Sequence, residues 1–385
     1  MKQVYFDSAA TTQIRDEVID KMISVMKRNY GNASSTHSFG RSSKVLIEQT
    51  RKTIAKILNV TAAEIVFTSG GTEADNLALQ CSVRDLGVKK IITSRIEHHA
   101  VLHTIEQLEK EYGITVNYVD LDTDGHVDYN HLESLLQSPE KTLVSLMHVN
   151  NEIGNMLDIK RVGDLCKKHD ALFHSDTVQS VGHFEMDLQE IHIDFVAVSA
   201  HKFHGPKGVG FAFIRKGSAL KPMIFGGDQE RGYRAGTESI HNIVGLEEAF
   251  KLAYENLEKD RAYILHLKSY FIKRLQDVFP DIAFNGSSGD LGKSTYTLIN
   301  VRLPIPPEKA LILLFQLDLK GIACSKGSAC QSGSNQGSHV LAQILSDDDM
   351  NKPSIRFSFS HYNSKAEIDY VIEVLKEFVD AKAVF

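Results

Sequence analysis

Short apolar runs alternate with helix-length amphipathic segments along most of the chain. In residues 17–27, for example, Val18, Met22 and Met26 recur at the spacing of one helix face. The apolar runs are nearly continuous, which is typical of strands buried on both sides of a sheet. Strands are predicted at 65–67, 90–93, 115–119, 143–147, 171–174, 195–198 and 209–213, and further helices at 41–58, 98–112, 129–136 and 159–168. This alternation predicts an α/β fold with a mostly parallel sheet covered by helices on both faces.

The pattern changes beyond Gly245, where a long, charged amphipathic helix is predicted over 246–279. Two strand-like segments follow at 295–301 and 354–359, separated by a helix at 309–317 and a loop rich in glycine and serine, and a last helix covers 365–378. The apolar run 310–315 is too short to span a membrane and predicts a buried helix. We therefore expect a large domain over 14–255 and a smaller α+β domain over 256–385 that residues 1–13 join.

The composition is that of an ordinary globular protein, with 42% hydrophobic and 24% charged residues among 385. A net charge of -6 gives no basic surface for nucleic acid or for anionic lipid. The first twelve residues lack the apolar core of a secretory signal. Four cysteines are too few and too unevenly spaced for a disulfide framework. These features predict a reduced, cytoplasmic protein without a membrane partner.

Lys202 lies in a polar turn between two of the predicted buried strands. A lysine at the mouth of a buried strand loses part of its hydration, which lowers its pKa and makes the neutral amine available for a Schiff base. The alternative is that Lys202 and its neighbour Lys207 are solvated turn lysines, as most isolated lysines in such turns are. The other polar residues of the chain favour the first interpretation.

Gly70-Gly71-Thr72 stands between a predicted strand and a predicted helix. Unpaired backbone N–H groups and the helix dipole attract an anion at such a junction, although an isolated glycine pair there is more often a tight turn. The sequence has neither a Gly-x-Gly-x-x-Gly fingerprint nor a Gly-Lys-Thr motif at this point. A phosphate group is thus a better guest than NAD or a nucleoside triphosphate.

Four polar residues, His98, Asn151, Asp176 and Gln179, follow the ends of predicted strands. Ligands of α/β proteins bind at the carboxyl edge of the sheet, where these residues would meet. A carboxylate such as Asp176 can pair with the protonated nitrogen of a pyridine ring, and His98 can lie against such a ring and relay protons. An isolated Asp176 would more often be a helix cap, but four polar residues at one edge are hard to explain separately.

His98, His99 and His103 lie close together in the sequence and raise the question of a metal site. No carboxylate or cysteine stands at ligand spacing from them, so a metal is not predicted.

The glycine- and serine-rich loop 321–337 carries Cys330 without apolar neighbours that would bury it. An exposed thiol on a flexible segment is a liability unless it reacts. Cys324, next to Ile322, is expected to be packed, and the Cys-x5-Cys spacing is not a standard zinc or redox pattern. Arg356, at the start of a strand, could hold a carboxylate with two parallel hydrogen bonds or be a surface arginine.

Taken together, the residues resemble the cysteine desulfurases, pyridoxal-phosphate enzymes of the class V aminotransferase family. The long cysteine loop is similar to that of the group I members, which serve iron–sulfur cluster assembly. The resemblance runs in order along nearly the whole chain and implies the aspartate aminotransferase-like fold type I. Its motifs are Gly70-Gly71-Thr72-Glu73-Ala74-Asp75-Asn76, Glu97-His98, His148-Val149-Asn150-Asn151-Glu152-Ile153-Gly154, Asp176 to Ser180, Ser199 to Lys202, Gly205 to Gly208, Arg231 to Thr237 and Gly327 to Cys330.

The resemblance also implies a role for each candidate residue, with pyridoxal 5'-phosphate as cofactor and L-cysteine as substrate. Lys202 would bind the cofactor covalently and act as acid and base, and Cys330 would attack the substrate sulfur to give L-alanine and a persulfide. The implied cofactor ligands are Asp176 at the ring nitrogen, His98 on the ring, Asn151 and Gln179 at the phenolic oxygen, and Gly71, Thr72, Ser199, His201 and the neighbouring subunit's Thr237 at the phosphate. The implied substrate ligands are Asn32, Asn151 and Arg356.

Two alternatives to this function stay open on the sequence. One is a selenocysteine lyase or a cysteine/cystine lyase of the same fold, and the other is a non-catalytic sulfur carrier that keeps the fold. The expected assembly is a homodimer that passes sulfur to an acceptor protein. Some family members dock the cluster scaffold through a longer tail than this chain shows, so the sequence does not identify the acceptor.

Overall fold

The computed structural model describes residues 2–326 and 337–380. The strands are β1 Val4–Tyr5, β2 Ile65–Thr68, β3 Lys90–Thr93, β4 Thr115–Tyr118, β5 Thr142–Ser145, β6 Leu172–Asp176, β7 Phe195–Ser199, β8 Gly210–Ile214, β9 Ala283–Phe284, β10 Leu298–Arg302, β11 Ile322–Ala323 and β12 Ser354–Ser358. The helices are α1 Asp16–Arg28, α2 Ser38–Ile57, α3 Gly71–Leu86, α4 His99–Tyr112, α5 Tyr129–Leu136, α6 Ile159–Lys168, α7 Ile240–Glu255, α8 Leu257–Val278, α9 Pro307–Leu319, α10 Asp347–Met350 and α11 Lys365–Asp380.

A seven-stranded sheet in the order β2-β8-β7-β6-β5-β3-β4 forms the centre of the molecule. Strands β4, β3, β5, β6 and β7 are parallel, and β8 runs antiparallel to both of its neighbours, β7 and β2. Every residue of β2, β3, β5, β7 and β8 is buried, as the continuous apolar runs predicted. The predicted, mostly parallel α/β sheet is thus confirmed, and the carboxyl ends of β3, β5, β6 and β7 meet at one edge.

Residues near the two ends of the chain share a separate hydrophobic core. Val4 and Phe6 pack in one cluster with residues of α8, β10, β12 and α11. Strand β1 pairs in parallel with β11, and β10 pairs antiparallel with β12 and β9. The N-terminal segment therefore packs with the C-terminal third of the chain, while the boundaries 14–255 and 256–385 stay a prediction.

The helix predicted over 246–279 is wrong as a single element, because the structure divides it at Asn256 into α7 and α8. Asn256 has φ -103° and ψ 7°, and its side-chain amide donates to the Leu252 carbonyl at 2.9 Å. Asparagine side chains compete with the backbone for such carbonyls, which favours a helix end at this position.

The buried helix predicted from the apolar run 310–315 is also wrong in part. The run is helical, within α9, but Ile312 is 49% exposed and Phe315 is 60% exposed, whereas Leu313 is 1% exposed. Among the described side chains of α9, at 312–319, one side meets the core and the other is exposed, so apolar composition alone did not indicate burial. None of the helices in the described part of the chain is long and apolar enough to cross a membrane.

Candidate active site

A cavity of about 450 Å³ opens at the carboxyl edge of the central sheet. It is where ligands bind in α/β proteins, because loops following adjacent parallel strands leave a crevice there. The cavity brings together most of the residues selected from the sequence, namely Gly71, Thr72, His98, Asn151, Asp176, Gln179, Ser199, His201, Lys202 and Arg356.

Lys202 lies at the end of a short turn, Ala200–Lys202, that follows β7 directly. Its Nζ donates to the carbonyl oxygens of Ala9 at 2.6 Å and Ala10 at 2.8 Å. The amine is therefore held at the cavity by the N-terminal segment rather than projecting into solvent. This placement excludes the interpretation of Lys202 as a solvated turn lysine.

Asp176 is the last residue of β6 and is 7% exposed. Burial raises its pKa to about 6, although the Val178 N–H, which donates to Oδ1 at 2.9 Å, and the positive charge of Lys202 act in the opposite direction. Burial and the charge of Asp176 also raise the pKa values of Asp75 and Glu97. This end of the cavity holds buried acidic groups that a cationic ring nitrogen would stabilise in their ionised form.

His98 caps the N-terminus of α4, since its Nδ1 accepts a hydrogen bond from the Ala100 N–H at 3.1 Å. Burial, together with the nearby charges of Lys202, His339 and His103, lowers its pKa to about 4. The imidazole is thus neutral at pH 7, with Nδ1 as acceptor and the proton on Nε2. A neutral ring can lie flat on an aromatic ligand without introducing a charge.

His99 stacks on His103, with ring centroids 4.7 Å apart, and lies tilted against His339, with ring centroids 4.4 Å apart. Within residues 2–326 and 337–380, no group of His, Cys, Asp or Glu side chains is arranged to hold a metal ion.

The opposite end of the cavity is suited to a phosphate. Helix α3 begins at Gly71, after Gly70 with φ 154°, so the N–H groups of its first turn face the cavity end. A Cβ atom on Gly71 would lie 2.5 Å from Val178 Cγ2, so a larger residue at position 71 would displace the side chain of Val178, which lines the cavity. Ser199 and His201 line the same end, and burial with the charges of Lys202 and Lys207 lowers the pKa of His201 to about 4.

Arg356 lies on β12 and reaches the cavity from the other core, although it is only 1% exposed. Its Nη1 donates to the Asn151 carbonyl at 2.8 Å, and its Nη2 donates to Asp7 Oδ1 at 2.9 Å. Its Nε has no hydrogen-bond partner among the described residues. A buried guanidinium with an unused donor is ready to bind a carboxylate that enters the cavity.

The N-terminal segment 7–12 is the part of the site that the sequence analysis missed. Besides holding Lys202, the Ala9 carbonyl accepts from Gln179 Nε2 at 2.9 Å, and Thr11 Oγ1 lies 3.2 Å from His201 Nδ1. The run of small residues from Ser8 to Thr12 was a signal, because small side chains let a backbone approach a site closely.

Two of the sequence-selected residues in the described part of the chain do not line the cavity. Asn32 is exposed and its Oδ1 accepts from the Ser34 N–H, and Thr237 is also exposed. Cys330 lies outside the described residues. Cys324 packs against the core of the C-terminal third, where burial and the charge of Asp7 raise the pKa of its thiol. Cys324 is therefore a poor nucleophile at neutral pH.

The cavity fits pyridoxal phosphate at three points. The N-terminus of α3 suits the phosphate, Asp176 suits the pyridinium nitrogen, and Lys202 offers an amine to the aldehyde. The buried acidic group supplies the most specific observation, because a carboxyl at the end of a buried strand needs a cationic partner to stay ionised.

Replacing Asp176 by asparagine should stabilise the cofactor-free protein above pH 6. The pKa of Asp176 in the folded state, about 6, lies above its ordinary value of 3.8. Protonation of Asp176 therefore stabilises the folded state fully below pH 3.8, and this stabilisation is lost as the pH rises through 6. The ionised carboxylate then costs about 3 kcal/mol. Asparagine avoids that cost and still accepts from Val178. Urea denaturation should show this difference at pH 7.5 and little at pH 4; an equal difference at both values would contradict it.

The chain is similar to known proteins along nearly its whole length. Residues 4–371 match the family described as Aminotransferase class-V. A cysteine desulfurase IscS of Dictyoglomus turgidum is 39% identical over 381 residues, which cover 98% of this chain and 95% of the relative. Among solved structures, a NifS-like protein has a TM-score of 0.89 at 35% identity, covering 98% of this chain and 99% of that chain. A structure of SspA in complex with cysteine has a TM-score of 0.80 at 30% identity, covering 94% and 100%. The chain therefore belongs to the class-V aminotransferase family and, within it, to the pyridoxal-phosphate-dependent cysteine desulfurases.

Proposed function

We propose that this cysteine desulfurase transfers the sulfur of L-cysteine to Cys330, releasing L-alanine and leaving a persulfide for an acceptor protein. The observation that carries the proposal is one cavity that joins an amine, a buried acidic group and a buried guanidinium, from Lys202, Asp176 and Arg356. Pyridoxal phosphate supplies an electron-withdrawing ring that makes the α-proton of a linked amino acid acidic. The same ring weakens the bond between the β-carbon of that amino acid and its sulfur.

Three side chains serve the ring and the proton transfers. Lys202 Nζ would hold the cofactor aldehyde, and its amine would move the proton at the substrate α-carbon. Asp176 keeps the ring nitrogen protonated, because its ionised form gains most from a cation at that position. His98 covers the ring as a neutral imidazole, consistent with a pKa lowered to about 4.

The polar residues around the cavity orient the substrate and the cofactor. Arg356 binds the substrate carboxylate, with Asn151 beside it. Gln179 and Asn151 bracket the phenolic oxygen of the cofactor, and Gly71, Thr72, Ser199 and His201 hold its phosphate. These contacts fix the α-carbon within reach of Lys202.

Cys330 accepts the sulfur. Its thiolate attacks the substrate sulfur, a new S–S bond forms, and the electron pair of the broken C–S bond goes to the β-carbon, which is protonated to the methyl group of alanine. No external oxidant is needed, because alanine and the persulfide together contain the same atoms and electrons as L-cysteine and the thiol of Cys330. Cys324 is not the acceptor in this scheme, because burial raises the pKa of its thiol.

The test is to incubate the holoenzyme with L-cysteine and to measure alanine release and the mass of the protein. One added sulfur, removable by a reductant, is expected with alanine in equal amount. Alanine without protein-bound sulfur would indicate a simple lyase, and no alanine at all would refute the proposal. The same assay with L-selenocysteine measures whether the enzyme prefers selenium, the activity of the alternative lyase.

We also propose a homodimer in which Thr237 of one subunit reaches the phosphate of the other. Support comes from apolar side chains that α1 presents to solvent, since Ile19, Ile23 and Met26 are 40%, 40% and 50% exposed at helical spacing. Nearby, Tyr30 and Phe39 stack with ring centroids 5.5 Å apart and are also exposed. Such a surface is typical of an interface.

Replacing Met26 by aspartate should weaken the dimer about 100-fold, because a carboxylate would lose its hydration in the apolar interface. Sedimentation velocity at micromolar concentration should show a shift from dimer to monomer, with loss of cofactor affinity. Leu291→Asp, at an exposed apolar residue outside this surface, is the matched control. A wild-type protein that sediments as a monomer would exclude the dimer.

The persulfide sulfur passes to an acceptor protein in this proposal, with iron–sulfur cluster assembly as the pathway that the family resemblance implies. We place the reaction in the cytoplasm, where thiols stay reduced. Cys81, Cys166 and Cys324 are free thiols, which suits such a compartment.

A further inference from the structure

The carboxylate of Asp7 joins two parts of the molecule that the proposed reaction must coordinate. Its Oδ1 accepts from Arg356 Nη2 at 2.9 Å and from Ser325 Oγ, also at 2.9 Å. Arg356 belongs to the substrate end of the cavity, and Ser325 begins the segment that leads towards Cys330. One oxygen atom thus receives hydrogen bonds from both.

The backbone around Asp7 is fixed independently of its side chain. Asp7 forms a parallel bridge with Ser358, and the Ser358 N–H donates to the Phe6 carbonyl at 2.8 Å. Ser325 and Arg356 form an antiparallel bridge, with the Arg356 N–H donating to the Ser325 carbonyl at 2.7 Å. The three side chains therefore project from adjacent extended segments, and substituting one of them leaves this backbone frame in place.

Arg356 depends on Asp7 for its orientation. Among the described residues, its Nη1 donates to the Asn151 carbonyl and its Nη2 donates to Asp7 Oδ1, and two acceptors on different nitrogens fix the plane of a guanidinium. Asp7 also supplies the carboxylate that pairs with this buried cation, at 18% side-chain exposure against 1% for the arginine. With the plane fixed, the guanidinium needs no further ordering to bind a carboxylate that enters the cavity.

We propose that Asp7 is a positioning residue that presents the Arg356 guanidinium to the substrate carboxylate. The inference rests on the proposed role of Arg356 and adds the residue that orients it. Asp7 does not touch the reacting atoms, so its effect falls on ligands that carry a carboxylate.

The test compares the binding of two amines to the holoenzyme by the change in cofactor absorbance. L-Alanine carries the carboxylate, and 2-aminoethanethiol has an amine and a thiol but no carboxylate. Asp7→Ala should raise the Kd of L-alanine and the KM of L-cysteine at least tenfold, with the Kd of 2-aminoethanethiol within twofold. Asp7→Asn keeps an oxygen that accepts both hydrogen bonds and should restore L-alanine binding to within about threefold.

Ser325→Ala is the matched control, because it removes the other hydrogen bond to the same oxygen and leaves the contact between Asp7 and Arg356. Its Kd for L-alanine should stay within twofold of wild type. Equal weakening of both amines by Asp7→Ala, or tighter binding of L-alanine, would overturn the inference. A different result would contradict the proposed function instead: wild-type protein would bind L-alanine but would release no alanine from L-cysteine.

Discussion

Replacement of Lys202 by alanine should abolish both the yellow colour of the holoenzyme and alanine release, lowering turnover by about 10³-fold or more. The variant loses the covalent bond to the cofactor and the amine that moves the α-proton. The fold should survive, because Lys202 lies at the cavity, where its Nζ donates to the backbone carbonyls of Ala9 and Ala10. Absorbance spectra and an alanine assay measure the two losses.

Lys207→Ala is the matched control, because Lys207 also lines the cavity and lies five residues after Lys202 in the segment between β7 and β8. It should keep the covalent cofactor and the colour. Borohydride reduction of the wild type followed by peptide mapping should find the cofactor on Lys202. A label on Lys207, or a coloured and active Lys202→Ala protein, would reject the assignment.

Replacement of Cys330 by alanine should leave the colour intact and lower sulfur release from L-cysteine at least about 100-fold. The cofactor still binds because its ligands are unchanged, but the substrate sulfur then lacks the thiolate that accepts it. Mass analysis after incubation with L-cysteine should find no added sulfur. This prediction concerns a residue outside the described part of the chain and follows from the sequence and the family.

The variant Cys324→Ala tests whether Cys324, rather than Cys330, accepts the sulfur. Burial raises the pKa of the Cys324 thiol, so alkylation at pH 7.5 should spare it, and the variant should keep near-wild-type turnover. Persulfide found on Cys324, or undiminished alanine release by Cys330→Ala, would show that the sulfur takes another route.

The cavity edge was predictable because of a general property of parallel sheets. Buried parallel strands read as continuous apolar runs, and their carboxyl ends coincide, so polar residues that follow them must converge. His98, Asn151 and Asp176 were found in this way, and Lys202 by the buried strand before it. Local patterns suffice where the fold itself brings the ends of elements together.

Contacts between distant parts of the chain were not predictable from local patterns. Nothing near Asp7 in sequence indicates that it would pair with Arg356, which stands 349 residues away. The break at Asn256 and the exposed side of α9 depend on side-chain competition and on what packs nearby, and neither changes the hydrophobic periodicity. Asn32 and Thr237 do not line the cavity of their own subunit, so the roles expected for them would require the proposed homodimer, which one sequence does not display.

The pairing of Asp7 with Arg356 has a consequence for how the protein is made. A ribosome releases the N-terminal segment first, yet Arg356, its partner on β12, is added 349 residues after Asp7. Until then, the carbonyl groups of Ala9 and Ala10 have no fixed frame in which to hold Lys202. A nascent chain can therefore build its central sheet before β12 is made, but Lys202 reaches its final position only after β12 has joined the N-terminal segment.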